Sequence, residues 1–540
     1  MKRKAVAAVL TAVMVASMFT GCGSDNGSSS AKSASAASAA SAANDTVDED
    51  GKVNGIMYQE GLPLVDEGDY TFSIFCDDSS ESGEFIMLDE FKKQTNVDVD
   101  LKIYPYETAT ERLNLDLNSG DYADVIGGWT LSDNAILTYG VNQGVFIPLE
   151  DYFEKYCPNI SAILDLPGVR EKMTAPDGHI YTIPYVGYSP YINTKWLENV
   201  GMSMPTTTDE FEAVLKAFKE QDANGNGDAS DEIPFSTDPN NKHIEAMAGY
   251  FGLPMNKLGI AIQNEKVVYG GVSDTYREFL SWFHKLYAEG LVDVELYTQD
   301  SSTWEGKGNQ DLYGVSIAYG SNEFTGIPAA EERGDFDSMP VLNTDKDGIW
   351  LRDTEGFSVY RTQAVITNKA EHPEIICRWF DNAFALENGI GCNRGPVGVI
   401  VNKEDDGYHA IDTTTLSEED QEKYSWGNLW PQSLPKYLPV DFEFVEEHPM
   451  YDEKKATEEA YEANLTKEII PSYWIDLDKI DTFSDTNTAI KDFFEQQQAQ
   501  FVCGELDIDN DADWQAYVDG MYSLGLEDWV ATQGIEEIAK

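Results

Sequence analysis

Residues Tyr70–Cys76 read YTFSIFC, and a little further on Phe91–Tyr104 read FKKQTNVDVDLKIY. The first run is aromatic and β-favouring, a strand by composition. Behind the polar turn Asp77–Ser80, Phe85, Leu88 and Phe91 recur at helical spacing. From Val97 to Ile103 the apolar residues alternate with Asp98, Asp100 and Lys102, the period of a half-buried strand. A further short strand, Ala123–Gly127, opens into the loop Gly127-Gly128-Trp129. Strand, helix, strand at this spacing predicts an α/β fold with a parallel-rich sheet, because parallel neighbours need a crossover long enough to hold a helix.

The same alternation continues along the chain. Thr207 and Glu210 form a capping-box pattern ahead of Phe211, Val214, Leu215 and Phe218, which share one helical face. Ser273 is the expected N-cap of a helix carrying Tyr276, Phe279, Leu280, Phe283 and Tyr287 and stopping at Gly290. A third helix is expected from Pro373, burying Ile376, Trp379 and Phe380 and ending at Gly389. The roughly 475 residues from Leu62 onward exceed what one hydrophobic core supports, so two lobes are expected.

The N-terminus has its own signature. Lys2-Arg3-Lys4 precedes the apolar run Ala5–Met18, too short to span a bilayer comfortably, and Phe19-Thr20-Gly21-Cys22 follows. This is an export signal over residues 1–21. Cys22 after it resembles the lipobox of bacterial lipoproteins, departing from it at Phe19, where that pattern usually has leucine. An ordinary secretory signal with an incidental cysteine is the competing reading. An acylated Cys22 would hold the protein outside the cytoplasm on a membrane, through methylenes worth about 0.8 kcal/mol each. Residues 22–61 are expected to be a flexible, lipid-anchored linker, being rich in Ser, Ala, Gly, Asn and Asp up to about residue 50.

Charge narrows the partners. The chain has 37 Lys+Arg against 96 Asp+Glu, a net charge of −59, which repels nucleic acid and anionic lipid surfaces. The lipid, not a basic patch, should do the anchoring. The cysteines beyond Cys22 are scattered, with no zinc spacing. The 6 histidines include no H-E-x-x-H pair, and the chain lacks the nucleophile elbow, the P-loop and the dinucleotide fingerprint. No catalytic residue is assigned. With so many acids, a carboxylate pair across a cleft proves nothing, so a surface-anchored glycoside hydrolase stays as one alternative and a carbohydrate-binding adhesin as another.

Asp222, Asn224, Asn226 and Asp228 place oxygen donors at alternate positions, with glycines between them, and Asp231 and Glu232 follow. A hard cation wanting six to eight oxygens needs such a set, so a structural Ca2+ is expected here. The loop begins like an EF-hand but has Ile233 where that motif has its bidentate carboxylate. Asp231 and Glu232 would have to close the shell. An acidic Asx-turn loop without metal is the competing reading.

In order and spacing, these segments resemble a known family: YTFSIFC, FKKQTNVDVDLKIY, ADVIGGWT (123–130), GHIYTIPYVGYSPYINTKWLENVGM (178–202), PTTTDEFEAVLKAFKEQDANGNGDASDEIPF (205–235), VITNKAEHPEIICRWFDNAF (365–384) and FVCGELDIDNDADWQAYVDGMYSLGLE (501–527). They look like the extracellular solute-binding lipoproteins of ABC importers, in the maltodextrin-binding-like carbohydrate family and its large calcium-carrying subgroup. The resemblance implies a two-lobed periplasmic-binding-protein fold of type II, hinge crossovers, a ligand cleft and no enzymatic activity. Lobe 1 would span 62–186 with a return at about 361–395. Lobe 2 would span 187–360 with the calcium loop at 222–232, and 396–540 would be mostly its C-terminal helices. The implied partners are an oligosaccharide and the permease subunits of an ABC importer, with the protein itself a monomer.

Sugar sites need apolar faces for the rings and a few polar groups for the hydroxyls. Trp129 follows a strand in a Gly-rich loop, where α/β proteins place ligands. Tyr185 and Tyr188 lie at the crossover that the resemblance implies. Trp304, Tyr319 and Trp350 stand in polar or glycine-rich surroundings, off any helical apolar face. Packing or a loop anchor is the competing role for each ring. Arg394 is expected in a loop near the cleft, paired with a hydroxyl, a uronate or a surface acid.

Overall fold

A computed structural model describes residues 45–78, 84–166, 168–184, 189–238, 243–318, 320–326, 336–352, 360–439, 442, 444–445, 461, 463–470, 474–475, 479–535 and 537–539. The export signal, Cys22 and the linker up to residue 44 lie outside them, as do Tyr185, Tyr188 and Tyr319. Among the described residues no helix is long and apolar enough to cross a membrane.

YTFSIFC becomes the strand Tyr70–Asp77, and its alternation decides which core each residue serves. Phe72, Ile74 and Cys76 enter a core with Phe91, Trp379, Phe380 and Trp430. Phe75 enters another with Leu113, Leu117, Ile126, Phe146 and Val365. Both faces of the sheet are thus covered, as a parallel sheet requires. The strand runs parallel to Val97–Tyr104 on one side and to Val125–Gly127 on the other, and Ala364–Ile366 adds antiparallel to the latter. Val97–Tyr104 is an edge strand. Its Asp98, Asp100 and Lys102 suit that place, since charges on an open edge discourage pairing with other chains.

A second four-stranded sheet has the order Phe336–Ser338, Ser189–Asn193, Tyr313–Ala318, Ile233–Thr237. Its last two strands are parallel and its other pairings antiparallel. The chain therefore leaves the first sheet after Thr182, which bridges Val365, builds the second, and returns at Ala364. Phe235, Val315 and Ile317 pack with Phe211, Phe218, Phe279 and Phe283 and with Phe501, Trp514 and Tyr517 of the C-terminal helices. The helix Thr208–Glu220 is capped as expected, the Glu210 N–H donating to Thr207 Oγ1 at 3.2 Å. Glu210 reaches back one residue further, accepting from the Thr206 N–H at 2.9 Å. In the helix Asp274–Ala288, Ser273 Oγ accepts from the Tyr276 N–H.

Three expectations change. The helix from Pro373 ends at Ala383, and a second one, Leu386–Arg394, contains Gly389 instead of stopping there. A Cβ at Gly389 would lie 2.0 Å from the Tyr437 carbonyl oxygen, so this glycine serves close approach, not termination. The ordered body starts before Leu62, because the paired strands Lys52–Val53 and Met57–Tyr58 already bury Val53 and Met57 in the first core. Trp430 and Leu434, from the stretch assigned mostly to lobe 2, also belong to that first core. Trp430 stacks on Trp379 with ring centroids 5.5 Å apart.

Candidate functional site

Ligands of α/β proteins gather at the C-terminal ends of parallel strands. In the first sheet that edge is formed by Asp77-Asp78, after Tyr70–Asp77, and by Gly128-Trp129-Thr130, after Val125–Gly127. Asp77 is buried, and its carboxylate accepts from the backbone N–H of Trp129 at 2.9 Å and of Thr130 at 2.6 Å. Burial raises the Asp77 carboxyl above its ordinary value, and these donors oppose the rise. Gly128 has φ +129°, and a Cβ there would lie 2.0 Å from Asp77 Oδ1. Only glycine lets the loop close on the carboxylate. The loop in turn holds Trp129 with 39% of its surface exposed. The Tyr360 ring meets Trp129 edge-on at 6.0 Å.

The floor of this edge comes from far along the chain. The Gly128 N–H donates to the Gln363 carbonyl at 2.8 Å, and Gln363 Nε2 donates to the Ser433 carbonyl at 2.6 Å. Ser433 Oγ donates to the Asp77 carbonyl, and the Gln432 N–H to Asp78 Oδ2 at 2.7 Å. Gln432 Oε1 accepts from the buried Lys436 ammonium at 2.6 Å. Lys436 also lies 5.6 Å from the ring centroid of the half-buried Trp426. Beside this floor, Arg361 is buried, held by both Asp133 oxygens (2.8 and 2.5 Å) with its guanidinium 3.9 Å from the Trp474 ring centroid.

The corresponding edge of the second sheet carries Asp238, just after Ile233–Thr237. Asp238 is buried and accepts from Ser301 Oγ at 3.5 Å. Desolvation, and then the charge of Asp238, raises the Glu305 carboxyl. An exposed indole on one sheet edge and carboxylate acceptors on another are groups suited to sugar rings and hydroxyls.

The predicted rings divide. Trp129 lies on the edge where a ligand would be met. Trp304 does not: it is 2% exposed and packs with Tyr313 and Phe336 of the second sheet and with Phe324. Its polar surroundings are a short helix, Ser301–Asn309, which Trp304 anchors to the sheet. Trp350 is a packing residue in the strand Trp350–Arg352, tilted on Tyr250 at 5.9 Å and edge-on to Tyr461 at 5.4 Å. Arg394 is not in a loop; it ends the helix Leu386–Arg394, where a cation complements the helix dipole. Tyr185, Tyr188 and Tyr319 lie outside the described residues. Tyr360, Gln363, Gln432 and Lys436 were not singled out from sequence, because only the fold brings them to Asp77.

The acidic loop links the helix Thr208–Glu220 to the strand Ile233–Thr237. Asp222 Oδ2 accepts from the Gly227 N–H at 3.0 Å, and Glu232 Oε1 from the Ala223 N–H at 2.8 Å. Asn224 Oδ1 accepts from the Asn226 N–H, and Asn226 Oδ1 from the Asp228 N–H. Asp228 Oδ1 takes the Ser230 hydroxyl at 2.5 Å, while the side-chain amides of Asn224 and Asn226 reach Asp231 at 3.4 and 2.8 Å. Asp222 Oδ1 and Glu232 Oε2 are buried with no donor among the described residues. Burial, with the Asp231 charge adding to it, raises the Glu232 carboxyl. A buried carboxylate oxygen lacking a donor is costly, and a hard cation between loop start and loop end removes that cost. The donor set fits one.

The profile of the bacterial extracellular solute-binding protein family matches residues 78–389. The fructooligosaccharide ABC transporter substrate-binding protein FusA of Streptococcus pneumoniae serotype 4 is 31% identical over 411 residues, covering 73% of this chain and 70% of FusA. A solved structure of an S. pneumoniae FusA EF-hand mutant in complex with fructo-nystose superposes with a TM-score of 0.70 at 27% identity, covering 86% of this chain and 98% of that one. The alginate-binding protein AlgQ2, solved without calcium ion, shares the fold with a TM-score of 0.69 at 22% identity, over 88% of this chain and 99% of its own. These relatives are binding proteins, not hydrolases.

Proposed function

Because the chain belongs to the bacterial extracellular solute-binding protein family, we propose that it captures an oligosaccharide between its two α/β halves and delivers it unaltered to an ABC permease. The observation that carries this reading is Trp129, an exposed indole at a strand end, fixed by a buried carboxylate and backed by Tyr360. An aromatic face held rigid at that place gives a sugar ring its apolar contact without ordering cost at the moment of binding. Fructooligosaccharides are the first ligands to test, on the strength of the FusA likeness. Binding would close the halves by hinge bending about the segments that join the two sheets.

In this reading the loop Asp222–Glu232 holds a structural Ca2+, with Asp222 and Glu232 supplying the buried oxygens. The ion stabilises the helix-to-strand connection by linkage and takes no part in ligand chemistry. Cys22 is the acylated anchor that keeps a monomeric receptor on the outer face of the cell membrane. Titration calorimetry with kestose-type and other neutral glycans, coupled to small-angle scattering, tests the central reading. Saturable binding with compaction and no release of reducing sugar is expected. A hydrolysed product, or unchanged particle dimensions at saturation, overturns it.

A further inference from the structure

We infer that the segment Trp426–Lys436 forms a saccharide subsite at the edge of the first sheet, in which the Lys436 ammonium donates to a hydroxyl of a neutral ligand and so helps to set specificity. This rests on the oligosaccharide reading above and names a determinant that reading leaves open.

Lys436 is 3% exposed, and among the described residues its three N–H bonds meet one hydrogen-bond acceptor, Gln432 Oε1 at 2.6 Å. It also lies over the face of Trp426, which favours a cation but takes no directed hydrogen bond. Among the described residues no carboxylate lies within ion-pair distance of the ammonium. The charged and titratable groups that face it are Asp78 at the end of Tyr70–Asp77 and Cys392 and Arg394 on the helix Leu386–Arg394. Burial pushes the ammonium down to about 8, with Arg394 adding to the fall and Cys392 and Asp78 opposing it.

An acceptor on the same floor is unmet as well. Gln363 is 1% exposed, its Nε2 donates to the Ser433 carbonyl, and its Oε1 is buried without a donor among the described residues. Lys436 and Gln363 are joined through the consecutive residues Gln432 and Ser433, which are themselves fastened to Asp78 and Asp77. A floor with both a spare donor and a spare acceptor matches a hydroxyl, which is both at once. A carboxylate would satisfy the lysine and repel the Gln363 oxygen. A fold selected only for stability would fill this place with an apolar side chain, because an ammonium with one partner is costly to bury.

The test uses the full-length protein in detergent, with kestose as the neutral probe and a galacturonate oligomer as the acidic one. Lys436→Met should keep or raise the melting temperature while weakening kestose binding about tenfold or more. Wild-type affinity should fall as the pH rises from about 7 to about 9.5 and the ammonium discharges, and the Lys436→Met profile should be flat. The proposal is overturned by an affinity within about twofold of wild type, by a flat wild-type profile, or by preference for the galacturonate. If Lys436→Met melts early, the wild-type profile alone decides. If wild type binds no glycan at all, the oligosaccharide reading fails first, and it is separated from failure of the subsite alone by the loss being common to every variant.

Discussion

Asp77 holds the loop of Trp129 by two backbone N–H bonds, at 2.9 Å to Trp129 and 2.6 Å to Thr130, from a position with no solvent exposure. A side chain that spends both oxygens on the backbone of a neighbouring strand end sets geometry and does not meet ligand. Asp77→Ala would strand two part-buried donors and is expected to cost about 1–3 kcal/mol by urea unfolding. Gly128→Ala should destabilise comparably, because its Cβ would sit 2.0 Å from Asp77 Oδ1 at a φ of +129°. Stability of either variant equal to wild type would show that the loop does not depend on this clamp.

Trp129 and Trp304 should separate cleanly. Trp129 is 39% exposed and Trp304 is 2% exposed within a cluster of aromatic rings. Trp129→Ala is expected to leave unfolding free energy within about 0.5 kcal/mol of wild type while weakening sugar binding. Trp304→Ala opens a cavity and should cost about 3–5 kcal/mol. Calorimetry and denaturation on the two variants decide this, and reversed behaviour would place the ring contact at Trp304 after all.

The two donorless oxygens, Asp222 Oδ1 and Glu232 Oε2, predict a metal-dependent stability. Saturating calcium at about 100 times Kd should stabilise by about 2.7 kcal/mol, and a chelator should remove that gain as a lower melting temperature. Glu232→Gln should melt close to the chelated wild type and respond little to added calcium. Identical melting of wild type with calcium and with chelator would leave the loop an Asx-turn connection without metal.

What was legible in the sequence follows from how far apart the deciding residues lie. Val97–Ile103 alternate every second residue, and Phe211, Val214, Leu215 and Phe218 every third or fourth, so strand and helix show locally. The place of Trp129 at a strand end was legible because a strand and two glycines precede it. Trp304 misled because a short helix needs a single apolar anchor, and its polar flanks look like a loop. Asp77 read as a turn residue, since nothing near it in sequence reveals that its partners are at 129 and 130. Lys436 and Gln363 were invisible for the same reason: Gln432 and Ser433 reach Asp78 and Asp77 across more than three hundred residues of chain. The acidic loop lay between these cases. Its oxygen spacing is local, but the pairing of Asp231 with the Asn224 and Asn226 amides is set by the turn.

Glu245 gives the second half of the molecule a pH signature. It is buried, with Oε1 accepting from Gln498 Nε2 at 2.8 Å and Oε2 without a donor among the described residues. Burial raises its carboxyl to about 7 from the ordinary 4.5; the charge of Glu495 adds to this, while Gln498 and Lys257 oppose it. The folded protein therefore keeps this proton over a range where the unfolded chain has lost it. The stabilisation is fully present below about pH 4.5, declines as the pH rises towards 7, and is gone above it. Glu245→Gln copies the protonated form at every pH and retains the acceptor for Gln498. By urea unfolding it should match wild type near pH 5 and exceed it near pH 8 by on the order of 1–3 kcal/mol. A difference that does not change between those two conditions would mean that Glu245 titrates normally in the folded protein, with water reaching its second oxygen.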